Sequence, residues 1–193
     1  MTEPVPSAVA ASPLRRISIT LTKRRVTVRA RLLDDKAPLT CEAIWQSLPI
    51  EGDCSHSRYA RHQIYTLVPG RFEPPPEYTT VTPFTGDLVY WPVPVQSGGL
   101  GPVWAAGQVG GMAGAAGIGP APGDAAGLPA GTKVLMDLGV YYDRNNLLLS
   151  PDSGWQPNTV FGVVETGLDD LAAAAIDIWR AGSVGETLRF EAN

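Results

Sequence analysis

Two imidazoles and a guanidinium lie close together in this sequence. His56 and His62 are the two histidines of the chain, and Arg58 lies between them in an aromatic and β-branched run, residues 56–68, that predicts a strand. Because alternate residues of a strand share a face, the three side chains are expected on the same side. Such groups could orient a carboxylate or assist proton transfer. The competing interpretation is a solvated outer face of a strand.

Metal and hydrolase chemistry are both disfavoured by the neighbouring residues. Catalytic zinc normally takes three protein ligands, and Asp53 and Cys54 precede the strand that carries the histidines. Cys54 near His56 could form a pair of nucleophile and base, but a buried thiol is the more common role. The chain has no serine in a Gly-x-Ser-x-Gly turn. We therefore predict no metal and no cofactor, while the question of enzyme or binding protein stays open.

A second polar and aromatic group precedes residue 158. Arg144, Trp155 and Asn158 are near one another in sequence, and amphipathic aromatic side chains such as that of Trp155 often wall binding pockets. Tyr141 and Tyr142 lie at a predicted strand end, where core packing and a pocket wall would account for them equally well. The candidate ligand-binding residues of the two groups together are His56, Arg58, His62, Arg144, Trp155 and Asn158.

Three arginines form a ladder along a predicted strand near the start of the chain. Arg25, Arg29 and Arg31 alternate with apolar residues, so their side chains share one face. The ladder could clamp an anionic ligand or a partner. The stronger interpretation is an exposed strand face that carries charge for solubility and pairs with acidic residues of the second half of the chain.

The hydrophobic periodicity predicts many strands and two helices. Alternation at 17–21 and 26–32 predicts a hairpin, and apolar residues at helical spacing predict a helix over 41–48 that stops at Pro49. A second helix is predicted from residue 168, with two aspartates at its N-terminus and Gly182 at its end. Further strands are predicted at 84–91, 133–142, 158–164 and 187–190. Strands without β-α alternation favour a closed sheet capped by helices.

Length and composition limit the number of domains. The chain has 193 residues, of which 44% are hydrophobic and 18% charged, and this predicts one globular domain. Residues 1–14 are expected to form a flexible tail, and residues 15–193 the domain. A segment at about 97–131, rich in Gly, Ala and Pro, is expected to be an insertion that covers the surface or forms a flap.

Charge and cysteine content indicate the environment and the partners. The net charge of −4 disfavours binding to nucleic acid. No stretch reaches the roughly 18 consecutive apolar residues of a membrane helix, and no secretory leader is evident, so no membrane partner is expected. Two cysteines are too few for a disulfide scaffold, and a cytoplasmic location is predicted. A homo-oligomer is compatible with the sequence.

Two separate segments resemble the cyclophilin-like fold. Residues 26–48 (VTVRARLLDDKAPLTCEAIWQSL) resemble the cyclophilin strand, its Ala-Pro-x-Thr turn and the first capping helix. Residues 158–171 (NTVFGVVETGLDDL) resemble a later strand and the second helix. An uncharacterised bacterial family of cyclophilin-like proteins is similar in a wider set of residues, namely Ala37-Pro38, Ile44-Trp45, Leu48-Pro49, His56 with Arg58, and Thr82-Pro83 to Asp87.

The resemblance implies a mainly β fold, a closed cyclophilin-like β-barrel of about eight strands with an α-helix at each open end. The barrel interior would be filled, so a ligand would bind on the outer wall. Small anionic or amide-bearing molecules are the ligands expected there. The alternatives are a weak peptidyl-prolyl isomerase and a protein-interaction module without catalysis. Against the cyclophilin isomerases, Arg58 best matches their arginine, with Arg61 as a rival, while Asn158 occupies the position of their histidine.

Overall fold

Thirteen strands and two helices make up the part of the chain that the computed structural model describes, which comprises residues 14–58, 60–96, 99–100, 129, 132–150 and 154–193. In chain order the elements are β1 (Arg16–Leu21), β2 (Val26–Leu32), α1 (Pro38–Ser47), β3 (Ile50–Asp53), β4 (Ser55–His56), β5 (Gln63–Gly70), β6 (Thr79–Thr80), β7 (Asp87–Gln96), β8 (Gly99–Leu100), β9 (Val134–Tyr141), β10 (Leu149–Ser150), β11 (Gly154–Trp155), β12 (Asn158–Thr166), α2 (Leu168–Ala181) and β13 (Thr187–Ala192). Apart from residue 14, the predicted tail lies outside the described residues. So does the predicted insertion, apart from residues 99–100 and 129.

The main sheet curls into a nearly closed barrel. Its strand order is β3-β13-β1-β2-β12-β7-β9-β5-β4, with antiparallel pairing throughout. The sheet curls far enough for β3 to pack against β5. Gly52 of β3 permits this approach, because a Cβ atom at that position would lie 2.6 Å from Cγ1 of Val68. The predicted closed barrel is confirmed.

Strand alternation fills the barrel interior. Ile17, Ile19 and Leu21 of β1 are fully buried, and the residues between them point outward. The same alternation along β2, β9 and β13 contributes to one continuous apolar cluster. The filled interior leaves the outer wall and the rims as the surfaces where a ligand can bind.

Both predicted helices are present and pack against this cluster. Cys41 and Ile44 of α1 and Leu171 and Ile178 of α2 are buried in it. Gly167 is the N-cap residue that precedes α2, and its φ of 85° lies in the left-handed region. A Cβ atom at this position would lie 2.8 Å from the carbonyl oxygen of Thr27. In the described part of the chain, no helix has the length and apolar character needed to cross a membrane.

The prediction of one strand over residues 56–68 is wrong. The chain leaves β4 after His56 and enters β5 at Gln63, and the described residues between them, 57–58 and 60–62, belong to no strand. Arg61 adopts a left-handed backbone conformation at φ 62°, which no strand accommodates. His56 and His62 therefore approach each other through a bend and not through strand alternation.

Candidate functional site

A cleft of about 300 Å³ lies where β4, the loop after it, the end of β9 and α2 meet. We call it the imidazole cleft, because both histidines of the chain line it. The residues around it are His56, Ser57, Arg58, Arg61, His62, Tyr142, Ile176 and Trp179. The sequence-predicted residues His56, Arg58 and His62 are thus brought together.

Backbone hydrogen bonds hold the loop that carries these residues. The Ser57 amide donates to the carbonyl of Gln63 at 2.9 Å, and the Tyr142 amide donates to the carbonyl of His62 at 3.0 Å. The side chain of Asn146 accepts the His62 amide at 3.4 Å and donates to the carbonyl of Asp143 at 2.6 Å. The two sides of the cleft are therefore tied to each other and to β5 and β9, so the cleft is built on a fixed frame.

The hydrogen bonds of His56 determine its tautomer. Its Nδ1 lies 2.8 Å from the carbonyl oxygen of Ser57, and because a carbonyl only accepts, Nδ1 carries the proton. In the neutral ring Nε2 is then an acceptor, and the Tyr142 hydroxyl donates to it at 2.6 Å. Burial lowers the pKa of His56 below 6.5 and outweighs the opposing effect of the hydrogen bond to the carbonyl of Ser57, and the electrostatic interaction with His62 acts in the same direction as burial. His56 is therefore uncharged at neutral pH.

His62 is held in a similar way but is turned toward the open side. Its Nδ1 donates to the carbonyl oxygen of Arg144 at 2.9 Å, and its ring meets the ring of Tyr142 edge to face at 5.6 Å between centroids. No described residue forms a hydrogen bond with Nε2 of His62. Tyr142 thus lies between the two imidazoles, and burial raises the pKa of its hydroxyl to about 12, so this group stays protonated as a donor.

Positive charge dominates the electrostatics of the cleft. Arg58 and Arg61 are both exposed, and neither forms an ion pair with any residue in the described part of the chain. No aspartate or glutamate is among the lining residues. Two guanidinium groups without carboxylate partners, next to two imidazoles, make a site that attracts anions.

An apolar wall faces these charges. Trp179 and Ile176 of α2 line the cleft with 58% and 38% of their surface exposed, and the indole of Trp179 lies 4.9 Å from the imidazole of His56. Trp179 follows the buried Ala175 by four residues, a spacing that alone predicts burial, but the helix turns this side chain toward the cleft. Large exposed apolar side chains beside a cleft provide a contact surface for a ligand.

The remaining sequence-predicted residues do not line the cleft. Arg144 contributes only its backbone carbonyl, which holds His62. Trp155 lies in β11, which pairs with β10, and is 59% exposed. Asn158 is buried at the start of β12, opposite Thr80, and its Oδ1 has no hydrogen-bond partner among the described residues. Tyr142, which the sequence left open between core and pocket wall, lines the cleft, whereas sequence reasoning did not place Ile176 and Trp179 in a site, because they come from a distant part of the chain.

Neither metal binding nor thiol chemistry finds support in the geometry. The described residues contain no group of three His, Cys, Asp or Glu side chains that could hold a metal ion. Cys54 is fully buried, and burial raises the pKa of its thiol to about 12. A thiol with this pKa is protonated at neutral pH, which disfavours the pairing of nucleophile and base with His56.

Residues 19–190 match a family model whose description is "Protein of unknown function (DUF3830)". No curated protein matches the chain. Among solved structures, a structure of McbB in complex with tryptophan aligns with a TM-score of 0.55 and 17% identity, over 91% of this chain and 44% of that one. This chain therefore spans less than half of the McbB chain. The Mimivirus cyclophilin aligns at 15% identity and a TM-score of 0.49, over 100% of this chain and 96% of its own.

Proposed function

We propose that this protein, which belongs to the DUF3830 family of proteins of unknown function and has a cyclophilin-like barrel, binds a small organic anion in the imidazole cleft. The ligand is a carboxylate with an aromatic or other flat apolar body. One observation carries the proposal: two guanidinium groups that form no ion pair with any described residue line a cleft that also has an exposed tryptophan and, among its described lining residues, no acidic side chain.

The charge of the cleft favours a carboxylate over an amide. A carboxylate offers two oxygens to a guanidinium and gains charge-assisted hydrogen bonds, whereas an amide offers one uncharged oxygen. Nε2 of His62 has no described partner, so it can contribute a further polar contact. His56 and Tyr142 satisfy each other and serve to hold the rim.

The apolar wall favours a ligand with a flat body. The indole of Trp179 and the side chain of Ile176 lie opposite the charged loop, so a ring attached to the carboxylate can contact both. Contact between aromatic groups contributes about 0.5–1.5 kcal/mol beyond the burial of area. An ammonium group on the ligand would find no carboxylate among the described lining residues, so the site prefers an anion to a zwitterion.

Calorimetric titration with benzoate and benzamide tests this proposal, because the two molecules share a ring and differ in charge. Benzoate is expected to bind, and benzamide to bind about tenfold more weakly or not at all, since a hydrogen bond to a charged group is worth about 1.5–3 kcal/mol. Arg58→Ala and Arg61→Ala are each expected to weaken the binding of benzoate by about tenfold as well. Arg29→Ala removes the same charge from β2, away from the cleft, and serves as the control.

Three results would contradict the proposal: no saturable binding of benzoate, equal binding of benzamide, or an Arg29→Ala effect as large as those of the cleft variants. A thermal unfolding curve for each variant establishes that it is folded before affinities are compared. Because Arg58 and Arg61 are exposed and have no described ion pair, these substitutions are expected to leave the melting temperature nearly unchanged.

A further inference from the structure

A second cavity, of about 340 Å³, lies on the outer wall of the barrel, where β2, β12 and β7 run side by side. We call it the β12 cavity. Arg31 of β2 and Asp87 of β7 are both paired with Val163 of β12, so the three residues form a row across the sheet. Leu32 and Leu88, which follow them in sequence, lie in the barrel interior, and the row therefore lies on the outer face.

The row holds opposite charges at its two ends. Two strand spacings separate the backbones of Arg31 and Asp87, a distance of about 10 Å, and the long arginine side chain shortens the gap between the charged groups. The described part of the chain contains no ion pair between them. A ligand placed over Val163 would therefore meet a guanidinium on one side and a carboxylate on the other.

Arg31 is only weakly engaged within the protein. Its Nε lies 4.0 Å from Oε1 of Glu165, at the limit of an ion pair. Glu165 forms its closer contact with Arg16, whose Nε donates to Oε2 at 2.9 Å. The Arg31 side chain is 37% exposed, so its guanidinium can accept a ligand carboxylate without losing a strong internal contact.

Asp87 is a largely buried carboxylate without a cationic partner in the described part of the chain. Its Oδ2 accepts the amide of Phe84 at 2.7 Å, and its own amide donates to the carbonyl of Phe84 at 3.1 Å. This turn fixes the carboxylate at the edge of the cavity. Its other oxygen has no described donor, and a buried carboxylate without a cation is costly unless a ligand supplies the charge.

Two exposed aromatic side chains border the cavity. Phe84 and Tyr78 line it with 78% and 56% of their surface exposed. Tyr78 has a φ of 42°, in the left-handed region that a bulky side chain rarely adopts, and strain of this kind is concentrated at binding sites. Val160 and Val163 form the apolar floor between them.

We propose that the β12 cavity is a second binding site, for a zwitterionic amino acid with an aromatic or large apolar side chain. The carboxylate of the ligand pairs with Arg31, and its ammonium group pairs with Asp87. Its side chain lies on Val163 and Val160, between the rings of Phe84 and Tyr78. The site differs from the imidazole cleft in having a carboxylate of its own, so the two sites select ligands of different net charge.

Calorimetric titration with L-phenylalanine and two analogues tests the charge requirement. The titrations use the Arg58→Ala/Arg61→Ala double variant, because N-acetyl-L-phenylalanine is an aromatic carboxylate of the class proposed for the imidazole cleft. N-acetyl-L-phenylalanine lacks the ammonium group and phenethylamine lacks the carboxylate, so each is expected to bind this variant about tenfold or more weakly than L-phenylalanine does. The proposal would be overturned if either analogue bound as tightly as L-phenylalanine. It would also be overturned if L-phenylalanine showed no saturable binding at millimolar concentrations of the amino acid.

Variants locate the site. Arg31→Gln and Asp87→Asn are each expected to weaken the binding of phenylalanine by about tenfold or more. Asp87→Asn keeps an oxygen that can accept the hydrogen bond from the Phe84 amide, so the turn is retained. Arg29→Gln lies on the same strand face and is the matched control. Arg58→Ala, in the imidazole cleft, is expected to leave phenylalanine binding unchanged. If Arg29→Gln or Arg58→Ala weakens the binding of phenylalanine as much as Arg31→Gln does, the ligand is not in the β12 cavity.

As a second measurement, methyl resonances of Val160 and Val163 are expected to shift on addition of phenylalanine, and absence of such shifts at saturation would refute the assignment. This readout does not depend on the imidazole cleft. The proposal for the β12 cavity and the proposed function can therefore fail separately.

Discussion

The hydroxyl of Tyr142 donates to Nε2 of His56 across 2.6 Å, and residue 142 is 86 positions further along the chain. The imidazole is thereby held between a phenol and the carbonyl of Ser57, with both ring nitrogens satisfied. Each of these bonds favours one protonation state of the ring. The hydroxyl bond stabilises the neutral form, because only an unprotonated Nε2 can accept it.

Replacing Tyr142 with Phe is expected to raise the pKa of His56, because the bond that stabilises the neutral imidazole is lost while the carbonyl of Ser57 stays. His62→Gln is also expected to raise it, since the charge of His62 lowers the pKa of His56. Titration of the imidazole resonances by NMR measures both shifts. An unchanged His56 titration in Tyr142→Phe would show that the hydroxyl bond is not formed in solution.

The same titration has a consequence for stability. The pKa of His56 is below 6.5 in the folded state, so the unfolded chain binds the proton more readily, and stability is lost as the pH falls from above 6.5 toward the folded pKa. In Tyr142→Phe this pH dependence is expected to be smaller. At neutral pH the variant is expected to be less stable by about 1 kcal/mol, the typical net value of one hydrogen bond.

The barrel was predictable from sequence because its signals are local. Strict alternation over β1 and β2 leaves only one arrangement that buries Ile17, Ile19 and Val28 together, and α2 shows its apolar face at helical spacing. The family resemblance of residues 26–48 and 158–171 points to the same fold. The match of the family model to residues 19–190 shows that the chain belongs to a family of unknown function, and the structure has the barrel and the two helices that the resemblance implies.

The site was less predictable, because its walls are contributed by residues that are distant in sequence. Nothing in a local pattern shows that Arg61 adopts a positive φ, yet this conformation turns the loop and places His62 beside Tyr142. Conversely, Trp155 and Asn158 are close to Arg144 in sequence but do not share the cleft with the histidines. Nearness along a chain predicts nearness in space only within one element or turn.

Asp137 is expected to make stability depend on pH. Its Oδ1 is inaccessible to solvent and lacks a described hydrogen-bond partner, and burial raises its pKa from 3.8 to about 7. A carboxyl group whose folded pKa exceeds its unfolded pKa contributes stability that is present below 3.8 and is lost as the pH rises through about 7. The loss has a limiting slope of about 1.4 kcal/mol for each pH unit.

Asp137→Asn removes this ionisation, so its stability is expected to change less between about pH 4 and about pH 7, the range in which the folded and unfolded chains differ in protonation at this residue. Urea unfolding at several pH values measures the difference. Asp53→Asn, at an exposed position of β3, provides the comparison and is expected to keep the wild-type profile. If Asp137→Asn shows the same pH dependence as the wild-type protein, the carboxyl group of Asp137 is not the titrating group.

Glu186 is expected to be the ion-pair residue that matters most for stability. Its side chain has 0% exposure, accepts the Lys23 amide at 2.7 Å and pairs with Nη1 of Arg24 at 2.8 Å. Arg24 also pairs with Asp177 of α2, so the group links the β1–β2 turn to the second helix. Glu186→Ala is expected to cost about 3 kcal/mol in urea unfolding, because it leaves buried donors unpaired. Glu165→Ala, which breaks the exposed pair with Arg16, should cost much less, because solvent screens an exposed ion pair. Equal losses in the two variants would contradict this assignment.

Trp179 is expected to distinguish ligands of the imidazole cleft by their apolar body. Trp179→Ala removes the exposed indole beside His56, so benzoate is expected to bind about three- to tenfold more weakly, while the weaker binding of acetate changes little. Trp155→Ala is the matched control, since the two tryptophans are 58% and 59% exposed and only Trp179 lines the cleft. Calorimetric titration of both carboxylates into both variants measures the effect. If acetate and benzoate lose affinity equally in Trp179→Ala, the indole acts by positioning His56 and not by contacting the ligand. If Trp155→Ala weakens benzoate binding as much as Trp179→Ala does, the ligand lies elsewhere on the barrel.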